Sequence, residues 1–306
     1  MKLVFFGSGR FAVPTLEALA PHVSLVVTQP DRPSGRGMKL QSNPVKQAAM
    51  SLGLTIESPE KCRNPEFIER ISAEKADALV VAAYGQILPL ALLEAARQGG
   101  INLHGSLLPK FRGAAPIQRC ILEGETETGV TLMQMDKGMD TGDIIAAQSL
   151  QIDPDETYGD LEERLAQTAA DIAREWMPRI ALGNYPRTPQ DGRGATTAPK
   201  VEKQEAELDP GRPSEGEYNR FRAFTPSPGA FLRSNWGLLK IATARKSHME
   251  SEPGTILEAK ASLVIAFRGG AIELLELQPE GKKKMAGKDF ANGMRLVPGM
   301  RLRDEQ

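Results

Sequence analysis

Residues 3–12 have the sequence LVFFGSGRFA, which carries the first sign of the fold class. Four apolar residues lead into a Gly-Ser-Gly turn, and apolar residues then recur at helical spacing as far as Leu19. That order predicts a β-strand, a tight turn and an α-helix. The same alternation returns in predicted strands at residues 23–28, 77–83 and 101–104 and in predicted helices at residues 44–52 and 88–97. Strands that alternate with helices predict an α/β domain with a Rossmann-like, mostly parallel sheet.

The Gly-rich turn also fits the dinucleotide-binding fingerprint G-x-G-x-x-A, formed here by Gly7, Gly9 and Ala12. A nicotinamide cofactor further requires an acidic residue at the end of the second strand, where it holds the ribose hydroxyls. That strand ends in Thr28, and the nearest carboxylate lies in the following loop. We therefore favour a tight strand-to-helix turn over a dinucleotide site.

The second half of the chain predicts a change of architecture. The first domain is completed by two strands and a long helix at residues 129–135, 143–152 and 157–180. Residues 184–200 are rich in Pro, Gly, Thr and Arg without apolar periodicity, which predicts a linker over residues 184–205. Beyond it, a short helix and five closely spaced strands predict a small OB-like β-barrel. We therefore expect a first domain over residues 1–183 and a second over residues 206–306.

Charge is distributed unevenly, although the net charge is only −1. From Tyr218 to Arg303 the chain carries fifteen Lys and Arg against seven Asp and Glu, so the remainder of the chain is acidic. A basic segment beside an acidic body is typical of a protein with an anionic partner. A solvated, Lys-rich surface explains the same numbers equally well.

Two further features indicate the compartment. The only cysteines, Cys62 and Cys120, are too few for a disulfide framework and fit a reducing environment. No run approaches the ~18 uninterrupted apolar residues that a membrane span requires, and the first apolar run is too short for a signal peptide. We expect a cytoplasmic protein without a membrane partner.

The chemistry is indicated by Asn102 and His104, at the end of a predicted strand. Residues two apart on a strand point to the same face, so an amide and an imidazole project together from the sheet edge where ligands bind in open α/β folds. Asp140 follows just before a later strand. With only three histidines in the chain, no His-rich metal site can be built. From these residues alone, a purely structural role for His104 stays open.

Short motifs surround these residues and recur elsewhere in the chain. The motifs around them are NLHGSLLP at residues 102–109, RGAAPIQ at residues 112–118 and DKGMDTG at residues 136–142. The others are QPDRP at residues 29–33, AYGQILP at residues 83–89 and LQP at residues 277–279. Together they resemble the 10-formyltetrahydrofolate-dependent formyltransferase family, over almost the whole chain.

This resemblance implies a catalytic trio of Asn102, His104 and Asp140. It implies transfer of a formyl group from 10-formyltetrahydrofolate to the free amino group of initiator methionyl-tRNA. The folate site that it implies is lined by Ser106, Leu107, Leu108, Pro109, Tyr84, Gly85, Gln86 and Ile87. The resemblance implies tRNA contacts from the basic loop that carries Arg32, Arg36 and Lys39, with Arg36 a key contact. In the basic second domain, the sharpest cluster is Lys282, Lys283 and Lys284, which either binds the tRNA or forms a solvated turn. No metal, nicotinamide or obligate protein partner is expected.

Three other functions compete with this interpretation. A formyltransferase acting on a nucleotide-linked amine or amino sugar would share the trio but would not need both a basic loop and a basic second domain. A dehydrogenase would need the missing strand-end acid. A non-catalytic tRNA-binding protein would explain the predicted barrel but not the pairing of Asn102 and His104 with Asp140.

Overall fold

The computed structural model describes residues 1–34 and 39–303, which divide into two compact units. The pieces of the first unit are Met1–Pro116, Glu127–Gln151 and Glu162–Pro199. The second unit comprises Ile117–Thr126, Ile152–Leu161 and the described residues from Lys200 onward. Within the described ranges, no helix is long and apolar enough to cross a membrane.

Short strands and helices alternate along the chain as far as residue 199. The strands are β1 (Leu3–Gly7), β2 (Val23–Val27), β3 (Arg32–Ser34), β4 (Lys39–Gln41), β5 (Ile56–Glu57), β6 (Ala78–Ala82), β7 (Gly100–His104), β8 (Arg112–Gly113), β9 (Glu127–Gln134), β10 (Ile144–Gln151) and β11 (Thr197–Ala198). The helices are α1 (Val13–Leu19), α2 (Pro44–Ser51), α3 (Pro65–Ala73), α4 (Leu90–Leu93), α5 (Pro116–Leu122) and α6 (Tyr158–Ala181).

The first unit is built on a seven-stranded sheet with the order β10-β9-β7-β6-β1-β2-β5. Strands β5, β2, β1, β6 and β7 are parallel, and β9 is antiparallel to its neighbours β7 and β10. Every residue of β1, β6 and β7 is buried, as expected for central strands covered on both faces. This mixed, mostly parallel sheet confirms the predicted Rossmann-like class.

The helix predicted over residues 88–97 is reduced to the four residues of α4. The amides of Arg97 and Gln98 donate to the carbonyls of Ala76 and Asp77, which lie on a different part of the chain. Those amides are therefore not available to carbonyls four residues earlier, and tertiary contacts override the helical propensity of this apolar run.

Helix α3 and strands β3, β4, β5, β8 and β11 of the first unit were not predicted, and neither was helix α5. Helix α3 is capped by the Asn64 side chain, which accepts a hydrogen bond from the Glu66 amide at 3.2 Å, and it buries Phe67 and Ile71. The long loop after β2 contains a two-stranded antiparallel hairpin of β3 and β4. The predicted loop is therefore partly ordered by backbone pairing.

Residues 184–205, whose composition predicts a linker, make backbone contacts within the first unit as far as Ala198. Thr188 forms an isolated antiparallel bridge with Ile144, and β11 pairs in parallel with β8. The Pro- and Gly-rich composition of this segment correctly predicts that it lacks long helices and strands. The segment nevertheless forms backbone hydrogen bonds with the first unit.

The second unit is built on an antiparallel sheet, and it includes most of helix α5. Its remaining elements are α7 (Ser214–Ala223), β12 (Phe231–Ser234), β13 (Gly237–Ser247), β14 (Ile256–Glu258), β15 (Leu263–Phe267), β16 (Gly270–Pro279), β17 (Met285–Ala286) and α8 (Gly287–Gly293). The sheet order is β12-β13-β16-β15-β14, with β17 paired to β16. Five of these strands were predicted, and β17 was missed because two residues carry no periodic pattern. The apolar core includes Tyr218 and Phe221 of α7. The predicted small OB-like β domain is confirmed as a six-stranded antiparallel sheet.

Candidate active site

Strand β7 delivers Asn102 and His104 to the carboxyl edge of the parallel sheet. It lies between β6 and β9, and the side chains of Asn102 and His104 are only 9% and 5% exposed. Both residues lie on the same face because they are two apart on one strand. Their polar groups therefore meet at the edge where parallel α/β sheets bind ligands.

Asp140 lies against both of these side chains. Its Oδ1 accepts a hydrogen bond from Asn102 Nδ2 at 3.3 Å, and its Oδ2 is 3.6 Å from His104 Nδ1. The Gly113 amide also donates to Oδ2, at 2.9 Å. The structure therefore brings together the carboxamide, the imidazole and the carboxylate that the sequence singled out.

The loop that carries Asp140 is closed by a second carboxylate, Asp136. Asp136 Oδ1 accepts from the Gly138 amide at 2.9 Å and from the Thr141 hydroxyl at 2.8 Å. Asp140 itself has a φ of +53°, a region that favours Gly, Asn and Asp. This backbone conformation, held by the Asp136 contacts, directs the Asp140 carboxylate toward β7.

The His104 ring is held by a backbone carbonyl. His104 Nε2 lies 2.9 Å from the carbonyl oxygen of Phe111. Because a carbonyl oxygen can only accept, Nε2 carries the hydrogen in this bond. Nδ1 is then the ring nitrogen that faces Asp140.

Hydrogen bonds to Lys110 and Thr131 hold the turn at residues 106–109. Ser106 is fully buried, its hydroxyl donates to the Lys110 carbonyl at 2.7 Å, and its carbonyl accepts from the Thr131 hydroxyl at 2.7 Å. The same Thr131 oxygen accepts from the Leu108 amide at 3.1 Å. Of the predicted folate residues in this turn, Ser106 therefore keeps its hydroxyl inside the turn, while Leu107 and Pro109 remain partly exposed.

The second predicted folate segment, residues 84–87, follows β6 at the same sheet edge. The Tyr84 carbonyl accepts from the Ser8 hydroxyl and from Gln29 Nε2, both at 3.2 Å. Burial raises the pKa of the Tyr84 phenol, which therefore stays neutral. Gln86 Oε1 accepts from the Cys62 amide at 3.0 Å. Gly85 has a φ of +86°, and the Ile87 side chain after it is 81% exposed, an unusual setting for an apolar residue.

The basic residues predicted to bind tRNA fall into three groups. Arg32 is exposed in β3, and Lys39 begins β4. Arg36 lies outside the described residues. Lys282, Lys283 and Lys284 are exposed in the segment between β16 and β17 of the second unit.

Two residues that bond to the trio through their backbone groups were not predicted. Phe111 orients His104 through its carbonyl, and Gly113 orients Asp140 through its amide. Both residues use backbone groups, and a pattern of side chains in the sequence does not reveal contacts made by the backbone. Gly113 lies in the motif RGAAPIQ, so a sequence signal existed without indicating its role. Among the described residues, no group of three His, Cys, Asp or Glu could hold a metal ion.

Comparison with known proteins gives consistent matches for both halves of the chain. The family model described as Formyl transferase matches residues 1–179. The model described as Formyl transferase, C-terminal domain matches residues 200–295.

Curated relatives match over nearly the full length. A protein of Myxococcus xanthus named methionyl-tRNA formyltransferase is 44% identical over 97% of this chain and 96% of its own length. A protein of the same name from Heliobacterium modesticaldum is 42% identical over 99% of this chain and 100% of its own length.

A solved structure shares the fold at lower identity. An N-formyltransferase from Helicobacter canadensis, in complex with folinic acid and dTDP-3-aminofucose, superposes with a TM-score of 0.66 at 20% identity. The match covers 90% of this chain and 98% of that one.

Proposed function

The chain belongs to the formyl transferase family, and from that premise we propose that it transfers the formyl group of 10-formyltetrahydrofolate to the free amino group of initiator methionyl-tRNA. The product is N-formylmethionyl-tRNA, which serves translation initiation. The observation that carries this proposal is the convergence of Asn102, His104 and Asp140 at one sheet edge. The near-full-length relatives support the choice of acceptor.

The transfer forms one carbon–nitrogen bond and breaks another. The neutral amine of the acceptor attacks the formyl carbon, a tetrahedral intermediate with an oxyanion forms, and the bond to folate N10 then breaks. The amine must lose a proton, and N10 must gain one before it leaves. The site must therefore supply an oxyanion donor, a base and an acid.

Asn102 suits the oxyanion role. Its amide has two N–H donors, of which one bonds to Asp140 Oδ1 at 3.3 Å. The second remains to donate to the oxyanion. Loss of one such donor costs roughly 3–4 kcal/mol in comparable sites.

Asp140 serves as the base, directly or through a bound water, and His104 exchanges protons through Nδ1. The Phe111 carbonyl occupies Nε2, so a proton that returns to folate N10 from the ring must leave Nδ1. Asp140 Oδ2 at 3.6 Å from that nitrogen can accept or return the same proton. These two residues thus supply the acid and the base.

The folate carrier occupies the edge between the two turns, residues 84–87 and 106–109. These turns follow neighbouring parallel strands, β6 and β7, so they flank the trio. The internal hydrogen bond of Ser106 leaves contact with folate to the backbone of that turn and to Leu107 and Pro109. Exposed Ile87 offers an apolar surface for the pteridine ring.

The acceptor tRNA is held by basic residues at two places. Arg32, Arg36 and Lys39 of the loop after β2 contact the acceptor end, and Lys282, Lys283 and Lys284 contact the tRNA body. Contacts to phosphates are sequence-tolerant and depend strongly on salt. Residues 1–183 form the catalytic domain, residues 184–205 connect it, and residues 206–306 form the tRNA-binding domain. The protein works in the cytoplasm, which agrees with its two buried cysteines.

One incubation separates this function from its competitors. Purified protein receives 10-formyltetrahydrofolate together with initiator methionyl-tRNA, uncharged tRNA or a dTDP-linked amino sugar, and each acceptor is assayed for N-formylation. We expect formylation of the charged tRNA alone. Preferential formylation of the amino sugar would replace the proposal with the sugar-transferase alternative, and no formyl transfer to any acceptor would contradict it.

A further inference from the structure

Residues 185–198, which we call the strap, contact both the loop that carries Asp140 and the segment that holds His104. At one end the Tyr185 hydroxyl donates to Gln134 Oε1 at 2.9 Å. Thr188 and Ile144 then exchange two backbone hydrogen bonds, of 2.8 and 2.9 Å. The strap thus begins by pairing with the strands on either side of the Asp140 loop.

Gln190, near the middle of the strap, forms two hydrogen bonds with the Asp140 loop. Its Nε2 donates to the carbonyl of Asp140 at 2.9 Å and to the carbonyl of Gly142 at 2.8 Å. Both N–H groups of the Gln190 amide therefore donate to backbone carbonyls of the loop that carries the Asp140 carboxylate. The φ of +53° at Asp140 makes this peptide one that needs external support.

Arg112 fixes which way the Gln190 amide points. Arg112 Nε and Nη2 lie 3.1 and 2.6 Å from Gln190 Oε1. A guanidinium can only donate, and the two carbonyls on the other side can only accept. The amide therefore has one orientation that satisfies every partner, with oxygen toward Arg112 and nitrogen toward Asp140.

The far end of the strap supports His104. The Phe111 amide donates to Thr196 Oγ1 at 2.8 Å, and the Arg112 amide donates to the Thr196 carbonyl at 2.9 Å. Phe111 supplies the carbonyl that holds His104 Nε2. One continuous segment thus holds the backbone behind both the imidazole and the carboxylate.

We propose that the strap is the positioning device of the catalytic trio and that Gln190 is its central positioning residue. Gln190 acts through the backbone of Asp140 and touches neither the formyl group nor the attacking amine. The inference rests on the proposed function, because it assigns Gln190 a role in that reaction. Residues that composition predicts to be a linker thus contribute to the reaction indirectly, by positioning the catalytic side chains.

Two variants test the role of the amide. Gln190→Met keeps most of the side-chain volume and removes both the donors and the acceptor. Gln190→Glu keeps an acceptor for Arg112 and places a carboxylate oxygen against two carbonyls. Matched controls are Gln148→Met and Gln148→Glu, because Gln148 is an exposed glutamine on β10 of the same unit.

Each variant is measured for kcat and for KM with both substrates, for thermal unfolding, and for amide hydrogen exchange in the peptide spanning residues 136–143. A catalytic group misplaced by about 1 Å can lose about 100-fold in rate, so we expect kcat to fall between about 10-fold and 100-fold. The fall should be larger for Gln190→Glu, with little change in either KM. Exchange in that peptide should become faster, while the Gln148 variants match the wild type.

Two kinetic results would overturn the inference: a kcat close to that of the wild type in both Gln190 variants, or a rise in KM at unchanged kcat, which would place Gln190 in substrate binding. If the wild-type protein formylates no tRNA, the proposed function fails, and the exchange data then decide. Faster exchange confined to residues 136–143 would still support positioning of the Asp140 loop, and unchanged exchange would overturn it.

Discussion

Substitution of Gly113 by Ala tests whether the backbone behind Asp140 must stay where it is. Gly113 has a φ of +129°, a conformation that L side chains rarely adopt. A Cβ at this position would lie 2.6 Å from the Ala198 carbonyl oxygen, whereas ordinary contacts begin at 3.4 Å. Strands β8 and β11 would therefore have to separate by about 0.8 Å, the difference between those two distances.

That displacement reaches the active site through one hydrogen bond. The Gly113 amide donates to Asp140 Oδ2 at 2.9 Å, so a shift of this size moves or breaks the bond. Misplacement of a catalytic group by about 1 Å can cost about 100-fold in rate, and we expect kcat to fall by about that factor. The unfavourable φ adds about 1–3 kcal/mol of destabilisation.

Initial rates of N-formylation of charged tRNA measure the first effect, and thermal unfolding measures the second. The matched control is Gly216→Ala in helix α7, because a Cβ at Gly216 meets nothing within 4 Å and its φ is not in the positive region. The control should keep the wild-type rate. If folded Gly113→Ala protein retains a kcat within threefold of wild type, the Gly113 amide does not position Asp140.

Three further changes test other parts of the protein. Arg36→Ala should raise the KM for charged tRNA and flatten its dependence on salt, because a phosphate contact is lost; an unchanged KM in a salt series would remove Arg36 from the tRNA site. Replacement of Lys282, Lys283 and Lys284 by Ala should weaken tRNA binding while kcat at saturating tRNA stays unchanged, and equal affinity in filter binding would assign these lysines to a solvated turn. Partial burial raises the pKa of Glu74, but hydrogen bonds from Arg70, Lys2 and Ser24 outweigh it and lower the pKa to about 2. Ionised Glu74 therefore stabilises the fold at pH values above its ordinary pKa of 4.5. This stabilisation is lost as the pH falls from 4.5 toward 2. Glu74→Gln should thus lower the unfolding free energy at pH 7 by about 1 kcal/mol, given the exposed partners, and a difference from wild type that persisted at pH 2 would contradict the assignment.

The sequence predicted those parts of the fold in which local pattern and tertiary structure agree. Strands β1, β2, β6 and β7 are short apolar runs bounded by turn residues, and each lies within about a residue of its predicted limits. Asn102 and His104 were identified because the period of a strand places them on one face. Such features depend on residues close together in the chain, and a single sequence reports them.

Features that depend on distant partners could not be predicted in the same way. The run at residues 88–97 has helical composition, but the amides of Arg97 and Gln98 bond to carbonyls elsewhere in the chain. Gln190 lies in a segment without periodicity, and its partner Asp140 is 50 residues away in sequence. Backbone groups such as the Phe111 carbonyl and the Gly113 amide carry no side-chain signature. The trio was therefore predictable, while the backbone that positions it was not.

Asn102, His104 and Asp140 are proposed to act together on one formyl carbon. In a single-turnover assay, enzyme saturated with 10-formyltetrahydrofolate is mixed with charged initiator tRNA, and formyl transfer is followed in wild type, His104→Ala and Asp140→Ala. We predict that each substitution slows transfer by about 100-fold or more while tRNA affinity stays unchanged. A near-normal transfer rate in either variant would show that these residues do not act as a trio.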